Sequence, residues 1–253
     1  TYNKEILSKH ANGTIPADWD EFMKPTASLN KYDGEGTYGV AVRGTRNWAT
    51  IHPGYISVYS LFGAQDLAIE DGRLVSKVNS PEAVAMTDAW VKMIREGGSP
   101  TWASYTRYQC AADLGARKAA MLFDADILGY FTNVPGGSAQ SGKLASAPAV
   151  KPAGSSKPLT ANLLAWALSI NSFSKAKDPA WLFTQYFTGK EFMTFSVVEW
   201  KSVDTPRKSV FQNADFQKNL AGMDGYVDMF EKTIPGATIL FTPNPYHFEV
   251  TTE

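Results

Sequence analysis

Short apolar segments alternate along the chain with stretches of helical spacing, and this alternation constrains the fold more than any other feature. Residues 38–42, 119–123, 143–147 and 163–170 are predicted strands. Ser80 and Pro81 suit the cap and first position of a helix that should run to Gly97. Strands separated by helices predict an α/β architecture, with a sheet covered on both faces by helices.

Composition excludes several classes of protein. The chain has 253 residues, with 24 Lys and Arg against 25 Asp and Glu, so it lacks the basic excess typical of a nucleic-acid binder. No apolar stretch reaches the roughly 20 residues that a membrane-spanning helix needs. Cys110 is the single cysteine, which rules out an intrachain disulfide and predicts an inert buried thiol. The chain begins with Thr1 and shows no signal-peptide pattern.

Motifs for catalysis or cofactor binding are missing from the sequence. The three histidines, His10, His52 and His247, are far apart and lack the spacing of a zinc site. Neither a Gly-x-Ser-x-Gly elbow nor a phosphate-binding Gly-x-x-x-x-Gly-Lys-Ser/Thr loop is present. We therefore predict no cofactor, no metal and no catalytic residue.

Two carboxylates directly follow a predicted buried strand, at Asp124 and Asp126. Three interpretations remain open. Asp124 would cap a short helix near Ile127, or one or both carboxylates would accept hydrogen bonds from ligand hydroxyls. As a third possibility, they would serve a glycosidase, although such carboxylates usually face each other from different elements.

Aromatic residues make up 13% of the chain, and several tryptophans lie at the ends of predicted elements. Trp48, Trp166 and Trp200 are candidate ligand-binding residues, because a flat ring suits the C–H face of a sugar. Packing in a core is the competing interpretation for each of them. Trp90 and Trp181 lie within helical stripes and are predicted to be buried. Arg43, at the end of a predicted strand, offers a fork of donors to hydroxyls or a surface ion pair.

Several segments, in order, resemble the family 1 extracellular solute-binding proteins, a group that includes maltose-binding and polyol-binding receptors. These segments are Tyr2-Asn3-Lys4-Glu5, Asp18-Trp19-Asp20-Glu21-Phe22, 79–84 running to 94–97, 118–126, Trp166-Ala167-Leu168-Ser169-Ile170-Asn171 and Pro206-Arg207-Lys208-Ser209. Their spacing is similar to the family pattern over nearly the whole chain. Segments 123–126 and 166–172 look most like receptors for sugar alcohols and monosaccharides.

The resemblance implies a periplasmic-binding-protein-like fold of type II, in which two α/β lobes close over a ligand. In such proteins the Tyr-Asn-Lys strand follows the first crossing between lobes, so most of the N-terminal lobe is expected to be missing from this sequence. Residues 1–160 would form the second lobe. Residues 161–205 would cross back to the first lobe, and residues 206–253 would return to the second.

The resemblance also implies a function without chemistry: the substrate-binding subunit of an ABC importer, a monomer in the periplasm or another extracytoplasmic compartment. It would capture a sugar or polyol and deliver it to the membrane permease. His247 lies on the returning segment, which often reaches the cleft in relatives, and joins the candidate ligand-binding residues. An enzyme acting on carbohydrate through Asp124 or Asp126, or a sugar-sensing receptor on the same fold, would be the alternatives.

Overall fold

Strands and helices alternate in the computed structural model, which describes residues 1–51, 53–241, 245–250 and 252. The strands are β1 (Tyr2–Asn3), β2 (Tyr38–Ala41), β3 (Leu67–Glu70), β4 (Arg73–Ser76), β5 (Ala119–Leu122) and β6 (Leu144–Ala145). The helices are α1 (Lys4–His10), α2 (Trp19–Ser28), α3 (Trp48–Ile51), α4 (Tyr55–Leu61), α5 (Pro81–Gly97), α6 (Arg107–Gly115), α7 (Asp126–Asn133), α8 (Lys177–Phe187), α9 (Lys190–Glu199), α10 (Lys208–Phe211), α11 (Ala214–Ala221), α12 (Tyr226–Thr233) and α13 (His247–Val250). In the part of the chain that these elements cover, no helix is long and apolar enough to cross a membrane.

A four-stranded mixed sheet has the order β2-β5-β1-β6. β2 and β5 are parallel, with Val40 opposite Met121 and Ala41 opposite Leu122, whereas β1 is antiparallel to both β5 and β6. Every residue of β2 and β5 is buried, as expected for strands covered on both faces. The strands predicted near residues 40, 120 and 145 are thus present, though shorter than predicted.

Apolar cores lie on both faces of this sheet. Val40 and Met121 belong to one core, which also holds Phe22 of α2 and Trp90 of α5. The other core contains Ala41 and Leu122 of the sheet with Cys110 and Leu114 of α6. Burial of Trp90 and Cys110 agrees with the sequence-based expectation.

Helix starts follow the capping residues of the sequence. The Asn3 side chain accepts hydrogen bonds from the backbone N–H groups of Glu5 and Ile6 at the start of α1. Asp18 accepts from Glu21 in the same way, as predicted for α2. Ser80 caps α5, with Pro81 at its first position.

A β-hairpin that the sequence analysis did not predict joins β3 and β4. Asp71 and Gly72 form its turn with left-handed φ angles of 49° and 73°, and an Asp-Gly pair is a typical hairpin turn. Ile69 and Leu74 pair across the strands, and both are exposed. The Asp-Gly pair between two short apolar runs was the sequence signal for this hairpin, and the strand prediction did not use it.

By internal contacts the chain divides into two compact units. Unit 1 comprises residues 1–163 with 224–253, and unit 2 comprises residues 164–223. Unit 1 holds the four-stranded sheet and its two cores. The lobe limits expected from the resemblance are a separate matter and remain a prediction.

Unit 2 consists of a segment without helix or strand followed by helices α8 to α11. Its buried apolar residues include Val197, Val210, Phe216 and Leu220. The strand predicted at 163–170 is wrong, because these residues belong to no strand of the structure. The predicted burial of Trp181 is also wrong: its side chain is 55% exposed, and no residue of α8 is buried. The helical spacing of apolar residues predicts that a helix has an apolar face. It does not predict whether another element covers that face.

Candidate functional site

Arg43 and Asp124 meet at one edge of the sheet because their strands are parallel neighbours. Arg43 lies two positions after the last residue of β2, and Asp124 lies two positions after the last residue of β5. The Phe123 N–H donates to the Ala41 carbonyl at 3.1 Å, which continues the strand pairing up to this edge. Carboxyl ends of adjacent parallel strands are where ligands usually bind in α/β sheets.

A buried, bidentate ion pair joins these two side chains. Arg43 Nε donates to Asp124 Oδ2 at 2.8 Å, and Nη2 donates to Oδ1 at 2.6 Å. The Asp124 side chain is 0% exposed, and that of Arg43 is 12% exposed. Parallel N–H···O bonds of this kind combine charge with a defined orientation. Arg43 therefore does form an ion pair, but with a buried carboxylate and not at the surface as the sequence analysis considered.

Backbone groups hold the ion pair from both sides. The Ala125 N–H donates to Asp124 Oδ1 at 2.6 Å, and Arg43 Nη1 donates to the Ala49 carbonyl at 3.0 Å. α7 begins at Asp126, and its N-cap residue, Ala125, makes no side-chain cap hydrogen bond. The interpretation of Asp124 as a helix cap is therefore wrong, since its oxygens serve Arg43 instead.

Close packing restrains the loop that follows Arg43. A Cβ on Gly44 would lie 2.1 Å from Cε3 of Trp102, so only glycine allows this approach. The backbone N–H groups of Gly44 and Thr45 both donate to the Tyr105 carbonyl at 3.1 Å. The guanidinium therefore extends from a backbone that has little freedom.

Asp126 contacts the segment that re-enters unit 1 near the C-terminus. The Tyr226 hydroxyl donates to Asp126 Oδ2 at 2.9 Å, and Tyr226 is buried. Next to it, Gly225 has a left-handed φ of 72°, and a Cβ there would lie 2.3 Å from the Ser146 carbonyl oxygen. Asp126 thus helps to fasten α12 to the rest of the unit.

An aromatic contact brings α13 to the loop after Arg43. The rings of Trp48 and Phe248 have centroids 4.7 Å apart and are tilted by 53°. Phe248 is exposed and was not singled out from the sequence. The side chain of His247 lies outside the part of the chain that the structure describes, so its predicted role stays a prediction.

Trp166 and Trp200 belong to unit 2. Trp166 is 86% exposed, and Trp200 is 62% exposed while contacting the rings of Phe192 and Phe195 at 5.6 and 5.3 Å. Neither is a core residue, so the packing interpretation does not account for Trp166. The structure brings together Arg43 with Asp124, whereas the two tryptophans of unit 2 are described only within that unit.

Two surface grooves are lined by other residues. One, of about 560 Å³, lies in unit 2 along α9. The second, of about 360 Å³, lies in unit 1 between α4 and residues 239–241. None of the predicted ligand-binding residues lines either groove. Among the described residues, no group of His, Cys, Asp and Glu side chains could hold a metal ion.

Solved structures share this fold along the whole chain. A solute-binding protein of an ABC transporter from Thermotoga lettingae, bound with alpha-D-tagatose, matches with a TM-score of 0.82 and 21% identity over 99% of this chain and 61% of its own. Another from Agrobacterium vitis, with bound D-mannitol, has a TM-score of 0.77 and 21% identity, and the match covers 99% of this chain and 62% of its own. The predicted α/β, periplasmic-binding-protein-like fold is confirmed.

The sequence comparison gives the family. The family described as bacterial extracellular solute-binding protein matches residues 1–223, and the chain belongs to it. The erythritol/L-threitol-binding protein of Mycolicibacterium smegmatis is 37% identical over 250 residues, which are 99% of this chain and 52% of that protein. The chain therefore spans about half the length of this relative. Both the family and this relative are named for the binding of solutes.

Proposed function

We propose that this chain forms part of the substrate-binding subunit of an ABC importer, which captures a small sugar alcohol or sugar and delivers it unaltered to a membrane permease. The observation that carries the proposal is the 37% identity with an erythritol/L-threitol-binding protein over 99% of the chain. The resemblance of segments 123–126 and 166–172 to polyol receptors points the same way.

The geometry of unit 1 supports a polyol as ligand. Arg43 presents N–H donors at the strand edge, and the exposed ring of Phe248 contacts Trp48 beside the same loop. Hydroxyl oxygens accept from guanidinium groups, and ring faces suit C–H groups. In this proposal Arg43, Trp48, Asp124, Asp126, Trp166, Trp200 and His247 belong to the binding site.

Capture would take place between two lobes. We infer that residues 1–160 and 206–253 belong to the second lobe and residues 161–205 to the crossing and first lobe. The subunit would act as a monomer outside the cytoplasm, in the periplasm where the cell has one. The burial of Asp124 against Arg43 does not favour an enzyme, because an acid or nucleophile must reach its substrate.

Isothermal titration calorimetry against erythritol, L-threitol, D-mannitol, D-tagatose and maltose tests the proposal. We expect one of the tetritols to bind with a dissociation constant at or below the micromolar range, and to emerge chemically unchanged from prolonged incubation. Arg43→Gln should weaken binding at least about tenfold, since a hydrogen bond to a charged group is lost. The control Arg73→Gln changes an exposed arginine of the β3–β4 hairpin and should leave binding unaltered. Turnover, or no binding of any of the five, would contradict the proposal.

A further inference from the structure

We infer that Asp124 is a positioning residue that acts through Arg43, and that the neutralised pair selects uncharged polyols over the corresponding sugar acids. The inference deepens the proposed function and rests on it. It differs from the expectation that the Asp124 carboxylate itself accepts hydrogen bonds from ligand hydroxyls.

The Asp124 carboxylate has no surface left for a ligand. Its side chain is 0% exposed. Oδ2 accepts from Arg43 Nε, and Oδ1 accepts from both Arg43 Nη2 and the Ala125 N–H. A ligand hydroxyl would have to displace a charge-assisted hydrogen bond to reach either oxygen.

Arg43, by contrast, has N–H groups that are not used in the ion pair or in the bond to Ala49. A guanidinium carries five N–H donors. Within the part of the chain that the structure describes, Nε and one N–H each of Nη1 and Nη2 donate to Asp124 and Ala49. The other two N–H groups make no such bond, and the side chain retains 12% exposure. Guanidinium N–H groups of this kind suit the hydroxyl oxygens of a polyol.

The net charge of the ion pair determines which class of ligand these N–H groups bind. The guanidinium and the carboxylate sum to zero, and their separation of 2.6 Å leaves little positive potential beyond them. A neutral polyol needs donors and no net charge. The carboxylate of a sugar acid would lose its hydration without gaining an unpaired cation, and the nearby Asp124 would repel it. The ion pair therefore donates hydrogen bonds to neutral hydroxyl groups but disfavours the binding of anions.

A double-mutant cycle on the protein tests this arrangement. Dissociation constants for erythritol and for erythronate, its carboxylate analogue, are measured for wild type, Asp124→Asn, Arg43→Gln and the double variant. We expect wild type to prefer erythritol over erythronate. Asp124→Asn should weaken erythritol binding about tenfold and shift the preference towards erythronate, because Arg43 loses both its orientation and its counter-charge. In the Arg43→Gln background, Asp124→Asn should change erythritol affinity by less than about twofold.

Several outcomes separate the inference from the proposed function. Equal losses from Asp124→Asn in both backgrounds would mean that Asp124 contacts the ligand directly, which overturns the inference alone. An unchanged erythritol-to-erythronate ratio in Asp124→Asn would overturn the selection by charge. Failure of wild type to bind either compound or any other polyol would overturn the proposed function, and the inference with it. The control Asp215→Asn breaks an exposed ion pair with Lys218 and should leave both constants unchanged. Circular dichroism of every variant confirms that each one is folded.

Discussion

Asp113 accepts hydrogen bonds from two tyrosine hydroxyls in the interior of unit 1. Tyr38 and Tyr105 donate to the same oxygen, Oδ2, at 2.7 and 2.6 Å. Burial, followed by the hydrogen bond to Asp113, raises the pKa of Tyr38 above its usual range. The Tyr38 hydroxyl therefore keeps its proton at neutral pH and donates to Asp113, and the network ties β2 to α6.

Removing one hydroxyl from this network should destabilise the protein. Tyr38→Phe takes away a donor from a buried carboxylate, and we expect the free energy of unfolding to fall by about 1 to 2 kcal/mol. Urea denaturation measures the change. The control Tyr108→Phe removes the hydroxyl of an exposed tyrosine on α6, the helix that carries Asp113, and should cost less than about 0.5 kcal/mol. Equal losses for the two variants would show that Asp113 gains little from Tyr38.

Cys110 should resist thiol reagents in the folded protein. Burial, with a smaller contribution from Asp124, raises the pKa of its thiol to about 12. The reactive species is the thiolate, so at pH 8 the folded state holds very little of it. We expect labelling by a disulfide reagent to be at least about a hundredfold slower than in urea. Rapid stoichiometric labelling of the native protein would contradict the buried placement.

Residue types at strand ends were enough to select Arg43 and Asp124 as candidates, but not to pair them. Pairing depends on the parallel register of β2 and β5, which brings two residues 81 positions apart into contact. Phe248 was missed for a similar reason. An aromatic residue near the end of a chain carries no local sign of the loop that it will contact.

Among the elements, the backbones of α2, β2 and α5 approach one another closely at Thr26. A Cβ placed on Gly39 of β2 would lie 2.0 Å from the Thr26 carbonyl oxygen, and one on Gly97 of α5 would lie 2.2 Å from it. Backbone atoms cannot retreat as a flexible side chain does. The helix α2 therefore packs against β2 and α5 at a distance that only glycine permits.

Gly97→Ala should strain this crossing. We expect the free energy of unfolding to fall by about 1 to 3 kcal/mol, the usual range for overpacking. Gly222→Ala is the matched control, because Gly222 also ends a helix, has φ −81° and would place its Cβ 3.8 Å from the nearest atom. It should change stability by less than about 0.5 kcal/mol. Similar values for both variants would mean that α5 shifts to relieve the contact without loss.

Elements with strong local signals were predictable from the sequence, and others were not. α1, α2 and α5 carry side chains that satisfy their first N–H groups, so Asn3, Asp18 and Ser80 located them. The strand predicted at 163–170 had only apolar content as its support. Apolar content records that a segment prefers burial, whereas a strand also needs a neighbour with which to form a ladder.

For the molecule as a whole, the distribution of apolar surface between the two units is uneven. Unit 1 covers both faces of its sheet, but in unit 2 no residue of α8 is buried. The exposed apolar side chains of this helix are Trp181, Leu182, Phe183, Tyr186 and Phe187. Contiguous exposed apolar residues attract other apolar molecules, whereas isolated ones are common on protein surfaces.

This surface should bind an apolar fluorescent dye in the native 253-residue chain. Replacing Trp181 and Leu182 together by Gln should lower the fluorescence of bound anilinonaphthalene sulfonate by about half or more, because both side chains are over 50% exposed. Val84→Gln makes the same chemical change at an exposed residue of α5, which lies in unit 1, and should leave the fluorescence unchanged. Circular dichroism must show equal helix content in all three proteins, so that altered folding is not mistaken for altered surface. If the control lowers the signal as much as the double variant, or if wild type binds no dye, the apolar residues of α8 do not form an accessible surface in solution.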